Sequence, residues 1–249
     1  MSIQAKYIKP KFQKKIKPKV GLLTLSTDLT IEKDFQKIYQ KLPFDLFVNR
    51  IHNENPLTKE NLLKMYNQIK SVTEKILPGQ KINTVAYGCT SGTIAIGEEK
   101  VKEKVQLAKP ECYVTTPITS AMKAFKEMNL NKIALFTPYP ESVNKTILEY
   151  FNKKNINIVS FSTFNIDLDE DIATVDTEHL FETLIKLDMN DADALFVSCT
   201  ALPVLQIIDE VEKKINKIVL SSNQTLIWDT LRSVGHKAPI EGYGRLLRN

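Results

Sequence analysis

Residues 82–97 read INTVAYGCTSGTIAIG. An apolar, β-branched run ends in Gly88-Cys89-Thr90-Ser91-Gly92, and helical spacing follows. A buried strand that breaks into a helix in this way is half of a β-α-β unit. A shorter version, ADALFVSCTALPVLQII at residues 192–208, returns further along the chain and places Cys199 where Cys89 stands in the first.

Working outward from these two stretches, short β-branched runs alternate with longer amphipathic ones. Strands are expected at 20–25, 46–50, 84–87, 112–115, 132–136, 156–160, 194–197 and 217–220. Helices are expected at 30–41, 58–76, 93–106, 119–128, 141–153, 177–187, 202–214 and 225–234. This alternation predicts an α/β protein with parallel sheets and right-handed crossovers.

The strands fall into two sets of four that resemble each other in order. KVGLLTLSTDLTIEKDF (19–35) pairs with NKIALFTPYPESVNKTI (131–147), and CYVTTPITSAMKAF (112–125) pairs with KIVLSSNQTLIWDTL (217–231). The repeat predicts two pseudo-symmetric lobes, each a four-stranded parallel sheet flanked by helices, with the active site in the cleft between them. The expected division is an arm over 1–18, a first lobe over 19–114 plus 222–249, and a second lobe over 115–221.

The chain has 249 residues, enough to bury a sizeable core, with 43% apolar and 25% charged residues. No apolar run has the length of a membrane span, and no N-terminal signal pattern is visible. The expected location is the cytoplasm, with no membrane partner. Three cysteines are not a disulfide framework, and neither C-x-x-C nor zinc spacing occurs. No metal site is expected. The net charge of +5 belongs to the N-terminal arm: the first 19 residues hold seven lysines and no acid, and beyond them acids slightly outnumber bases. A charge run of this kind reads as a solvated, flexible arm, with a contact for an acidic partner as the alternative. No basic-aromatic pattern points to nucleic acid.

Six turns rich in Ser, Thr, Asp and Asn follow the strands directly: STDLT, GCTSGT, TTPIT, TPYPES, SCTALP and SSNQT. Such residues cap helices. At the carboxyl edge of an open sheet they also form carboxylate cradles with helix N-terminal N–H groups. They match neither a P-loop nor a dinucleotide fingerprint. Cys112 reads as a small apolar core residue. Cys89 and Cys199 differ, because each stands after a strand and before a helix, a setting that lowers a thiol pKa. The repeat places the pair across one cleft, where one thiol can add or abstract and the other can deliver a proton to the opposite face.

YGCTSGT with SCTALP, together with LSTDLTIEKDF and SSNQTLIWDTLRSVG, resembles the aspartate/glutamate racemase superfamily. Within it the sequence is most similar to the branch of maleate cis-trans isomerases, arylmalonate decarboxylases and ectoine-utilisation racemase-like proteins. RIHNENPLTKENL and PIEGYGRLL look like the ectoine-utilisation group, and the resemblance runs from about Lys19 to the C-terminus. It implies a cofactor-free site between two lobes and a C-terminal segment that returns to the first lobe. It implies Cys89 as nucleophile and Cys199 as proton donor or acceptor. Arylmalonate decarboxylases keep only the second cysteine, so the presence of both argues against that activity. In the resemblance Asp28 stands where maleate isomerases carry an Asn that binds substrate; it either binds substrate or caps the following helix. Tyr139 matches the family tyrosine. Thr90, Ser91 and Thr200 are expected to complete oxyanion cradles, and Arg50 reads as a surface arginine.

The expected function is a cofactor-independent isomerase or racemase of small carboxylates. The alternatives are an ectoine-utilisation-type or amino-acid/hydantoin racemase and a non-catalytic small-molecule-binding protein. The expected partners are a small carboxylate substrate and further copies of the chain in a homo-oligomer.

Overall fold

The computed structural model describes residues 3, 5–12, 17–39, 43–189 and 191–249. In chain order the elements are β1 (Lys19–Leu25), α1 (Ile31–Tyr39), β2 (Asp45–Ile51), α2 (Lys59–Lys64), α3 (Ile69–Glu74), β3 (Thr84–Gly88), α4 (Thr90–Ile96), α5 (Glu98–Ala108), β4 (Tyr113–Thr115) and α6 (Pro117–Glu127). There follow β5 (Lys132–Thr137), α7 (Glu141–Lys153), β6 (Asn157–Thr163), α8 (Asp169–Ala173), α9 (Thr177–Leu184), β7 (Ala194–Val197), α10 (Ile208–Ile215), β8 (Ile218–Ser221), α11 (Ser222–Ser233) and α12 (Arg245–Arg248).

The strands form two parallel four-stranded sheets of the same winding, β2-β1-β3-β4 and β6-β5-β7-β8. The two-lobed α/β fold read from the repeat is therefore the observed one. In each sheet the first and third strands of the set are central, and their side chains are buried almost throughout: Val20, Leu22, Leu23, Val85 and Ala86 in one, Ile133, Leu135, Leu195 and Phe196 in the other. Helix-covered parallel strands are expected to be apolar on both faces. Phe125, Phe151 and Phe196 pack mutually in the second core, the closest pair edge-to-face with ring centres 5.5 Å apart.

Helix bounds depart from the sequence reading for local reasons. The expected helix 58–76 is divided by a 3₁₀ turn at Met65–Asn67. The expected helix 93–106 is two helices, broken at Gly97, whose φ of +102° favours glycine. α4 also starts three residues earlier than expected, because Cys89 itself is its N-cap. The last residues of the expected helix 30–41 lie outside the described residues.

α11 leaves β8 and packs against β3, β4 and α6. Tyr113 donates to Asp229 at 2.9 Å, and Thr84 and Ser233 share a 2.6 Å hydrogen bond. α12 turns back to α10, where Arg248 pairs with Asp209 at 2.8 Å. Residues 222–249 thus reach both sheets. In the lysine-rich arm, described residues 5–12 are exposed, with Tyr7, Ile8 and Phe12 among them. The remaining arm residues before Lys17 lie mostly outside the described residues. Among the described residues no helix is long and apolar enough to cross a membrane.

Candidate active site

The turns after β1, β3, β5 and β7 converge at the carboxyl edges of the two sheets, and α11 begins between them. Cys89 ends the apolar run of β3 in an extended conformation and caps α4, its Sγ accepting from the Gly92 N–H at 3.2 Å. Ser91 Oγ lies 3.8 Å from the same sulfur. Cys199 follows β7 with φ +121°, a region rarely occupied by residues that carry a Cβ. Backbone strain of this kind persists where the surroundings fix it. Here the fixing group is Ser222 at the start of α11, whose hydroxyl accepts from the Cys199 N–H at 3.0 Å and from Thr90 Oγ1 at 2.9 Å. One serine therefore ties the two cysteine turns together.

All three cysteines are free. Cys89 and Cys199 are each 3% exposed. Tyr139, also buried, hydrogen-bonds Cys199 and lies within electrostatic reach of Cys89. Asp28 and Asp169 each act on both thiols. The sequence-predicted residues Asp28, Cys89, Thr90, Ser91, Tyr139, Cys199 and Thr200 are thus brought together and buried.

Several roles differ from expectation. The helix-terminus setting was expected to lower both thiol pKa values. Burial instead pushes Cys89 up to about 12, with Asp169 and Asp28 adding to the rise and the Gly92 N–H and Ser91 opposing it. Cys199 is raised well above its ordinary value, again by burial first and then by Asp169. Loss of hydration outweighs one or two N–H dipoles. Thr90 and Thr200, expected with Ser91 to form oxyanion cradles through their backbone N–H groups, have their hydroxyls engaged, Thr90 on Ser222 at 2.9 Å and Thr200 on the Gly88 carbonyl at 3.3 Å. What remains for an anion is the backbone N–H of Thr90 and Ser91 in the first turn of α4.

Asp28 does cap α1, its Oδ1 accepting from the Thr30 and Ile31 N–H groups at 2.8 and 2.9 Å. Its Oδ2 is buried without a hydrogen-bond partner. The Thr200 hydroxyl stands between the Asp28 carboxyl, whose pKa it lowers by hydrogen bonding, and the Gly88 carbonyl at 3.3 Å. Burial raises the Asp28 pKa against the helix N–H groups, Thr200 and Arg50. Arg50 holds the turn from behind, Nη1 donating to the Asp28 carbonyl at 2.9 Å and Nη2 pairing with Glu32 at 2.7 Å.

Asp169 was not singled out from the sequence. Its carboxylate accepts from Thr27 Oγ1 at 2.6 Å, across the gap between the lobes. Around it Leu57 N–H donates to the Asp167 carbonyl at 2.9 Å, and Asn55 Nδ2 to Glu170 at 2.6 Å. These contacts join the segment after β6 to the turns after β1 and β2 and close the site. A groove of about 430 Å³ lies away from the thiols, past Glu98, Cys112, Tyr113 and Lys123. Both thiols are almost fully buried behind these contacts.

Gly92 lets the Cys89 sulfur sit against α4. A Cβ there would lie 2.8 Å from Cys89 Sγ, 2.7 Å from Met65 Cε and 3.1 Å from Tyr87 Oη. Gly92→Ala is expected to lower kcat/KM about a hundredfold by shifting the thiol while leaving the circular dichroism spectrum unchanged. Wild-type kinetics in that variant would show that the placement of Cys89 is not critical.

The profile of the arylmalonate decarboxylase family matches residues 69–247. The chain is 21% identical over 243 residues to a maleate isomerase of Nocardia farcinica, covering 92% of this chain and 95% of that protein. It is 29% identical over 135 residues to an arylmalonate decarboxylase of Bordetella bronchiseptica, covering 53% and 56%. The structure of a cysteine-to-serine mutant of the Nocardia farcinica maleate cis-trans isomerase, with a covalently bound succinylcysteine intermediate, superposes with a TM-score of 0.85 at 20% identity, over 93% of this chain and 98% of that one. A double mutant of arylmalonate decarboxylase in a liganded form gives 0.80 at 24% identity, over 92% and 98%.

Proposed function

The chain belongs to the arylmalonate decarboxylase family, and on that premise we propose that it is a cofactor-independent isomerase of a small carboxylate, working through Cys89 and Cys199. The observation that carries the reading is the pair of free, buried thiols at equivalent strand ends of the two sheets, with one phenol, Tyr139, acted on by both. The full-length similarity to maleate isomerases supports a cis–trans reaction of that kind.

In that reaction Cys89 gives its proton to bulk water before the substrate is enclosed and, as the thiolate, bonds through its sulfur to one carbon of the double bond. The negative charge moves onto the adjoining carboxylate, where the first N–H groups of α4 and the Tyr139 phenol meet it. Cys199 protonates the neighbouring carbon, and the adduct rotates about what is now a single bond. Cys199 then takes the proton back, the C–S bond breaks and the trans double bond forms. The closed site keeps water from the adduct.

A second reading has one specific observation behind it. The unpartnered Asp28 Oδ2 suits a substrate with an N–H donor. On such a molecule one thiolate would remove an α-proton and the other thiol would return one from the opposite face.

Proton NMR in D₂O, with a panel of dicarboxylates, amino acids and hydantoins, tests both. Cis-to-trans conversion supports the first, and deuterium entering an α-carbon supports the second. Ligand binding without conversion of anything on the panel would favour a non-catalytic binding protein and count against both.

A further inference from the structure

Ser222 is the first residue of α11 and is fully buried. A serine at a helix start ordinarily serves as its cap, but here that task falls to others. Ser221 Oγ accepts from the Gln224 N–H at 3.2 Å, and Gln224 Oε1 accepts from the Ser221 N–H at 3.4 Å. The Ser222 hydroxyl is turned instead to the two thiol turns. Both lone pairs of its oxygen are taken there, one by the Cys199 N–H at 3.0 Å and one by the Thr90 hydroxyl at 2.9 Å. Thr90 owes its hydroxyl to no cap either, because Cys89 Sγ caps α4.

Each of these bonds lies within one residue of a sulfur. Cys199 is held at φ +121°, a strained backbone for a residue with a Cβ. The next residue of α11, Asn223, donates from Nδ2 to the Thr200 carbonyl at 2.8 Å, so one helix start grips the Cys199 turn at both of its ends. We infer that Ser222 is a positioning residue: its oxygen fixes the Cys89 and Cys199 sulfurs relative to each other and so sets the gap in which the reacting carbons sit. The inference rests on the two-thiol reading of the site.

The chemistry needs such a device. A substrate met by sulfur on one face and by a proton on the other requires both thiols in reach at once, and a misplacement of about 1 Å costs roughly a hundredfold in rate. A strained turn keeps its shape only while its surroundings hold it. Without the Ser222 oxygen the buried Cys199 N–H loses its acceptor and the turn relaxes from φ +121°. Thr90, and with it the start of α4 beside Cys89, loses its tie to that turn.

The test uses the full chain carrying Cys112→Ala as parent and dibromobimane, which joins two sulfurs only when they lie within its short reach. Peptide mass spectrometry separates the bridged product from single alkylation. In Ser222→Ala the bridged share is expected to fall at least tenfold. Thr90→Val keeps the shape of the side chain and removes the donor, and is expected to lower the share at least threefold. Thr90→Ser keeps the donor and is expected to stay within twofold of the parent. A general loosening of the fold would instead raise alkylation of both cysteines, and melting curves report on folding. On a substrate the wild type converts, kcat of Ser222→Ala is expected to fall about a hundredfold with KM within threefold. The inference is overturned if Ser222→Ala is bridged as fully as the parent, if its kcat is unchanged, or if Thr90→Val and Thr90→Ser behave alike. Should Ser222→Ala fail to fold, the Thr90 pair decides alone. A parent that gives no bridged product overturns the two-thiol reading itself, and the inference with it.

Discussion

Cys89→Ser is expected to lower kcat at least about a thousandfold, roughly 4 kcal/mol of transition-state stabilisation, on whatever substrate the wild type converts. A serine hydroxyl fits the same space and can still accept from the Gly92 N–H, so the fold is expected to survive. It is, however, a far weaker nucleophile than a thiolate in a site that already disfavours anions. Cys199→Ser is expected to fall by a similar factor, because proton delivery to the opposite face is lost. The double variant is expected to be little worse than either single one, since groups that act as a unit are not additive. Steady-state kinetics with melting curves on all three proteins checks this. A variant that keeps more than about a tenth of wild-type turnover would show that its thiol is not part of the chemistry.

Asp169→Asn is expected to stabilise the protein, and only above a definite pH. Burial, opposed by the Thr27 hydroxyl and assisted by Asp28, pushes the Asp169 carboxyl up to about 6 from its ordinary 3.8. Below about pH 4 the group is protonated in both the folded and unfolded chain and contributes no difference. Between about 4 and 6 the unfolded chain releases the proton while the folded one keeps it, so stability falls as pH rises. Above about 6 both are ionised, and the full penalty of roughly 3 kcal/mol remains. Asn carries no such penalty and still accepts from Thr27. Its melting temperature is expected to exceed that of the wild type by roughly 6–12 °C at pH 8, and to match it at about pH 3.5. Asp34, raised to about 7 by burial, contributes in the same sense but is present in both proteins. A melting temperature at pH 8 that is unchanged or lowered would show that Asp169 is not a buried charge in the folded protein.

The fold was legible because its signals are local and repeated. Strand runs such as Ala194–Val197 are bounded by turn residues and fully buried. The order of turns then repeats, which specifies two sheets of the same winding. Cys89 and Cys199 were legible for the same reason, as was the alternative that Asp28 caps a helix. The division of helix 58–76 was not, because the 3₁₀ turn at Met65–Asn67 carries no Gly or Pro. Nor was Asp169. In DLDEDIATVD it is one acid of several and reads as solvated, and only the closure of the lobes brings it to Thr27, far away in sequence. Ser222 was visible as a turn residue, but its bridge between Thr90 and Cys199 depends on where α11 begins in space. The thiol pKa values were misread in sign because helix position can be seen in a sequence and depth of burial cannot.

That two thiols from two lobes face one site is the claim on which the rest depends. Dibromobimane, a short bis-alkylating reagent, tests it directly, followed by peptide mass spectrometry on the Cys112→Ala protein, in which Cys89 and Cys199 are the remaining cysteines. The expected product is a single bridged species joining the peptides of Cys89 and Cys199, absent from Cys89→Ser and Cys199→Ser. Separate single alkylation of the two cysteines, with no bridged species at any reagent ratio, would contradict it.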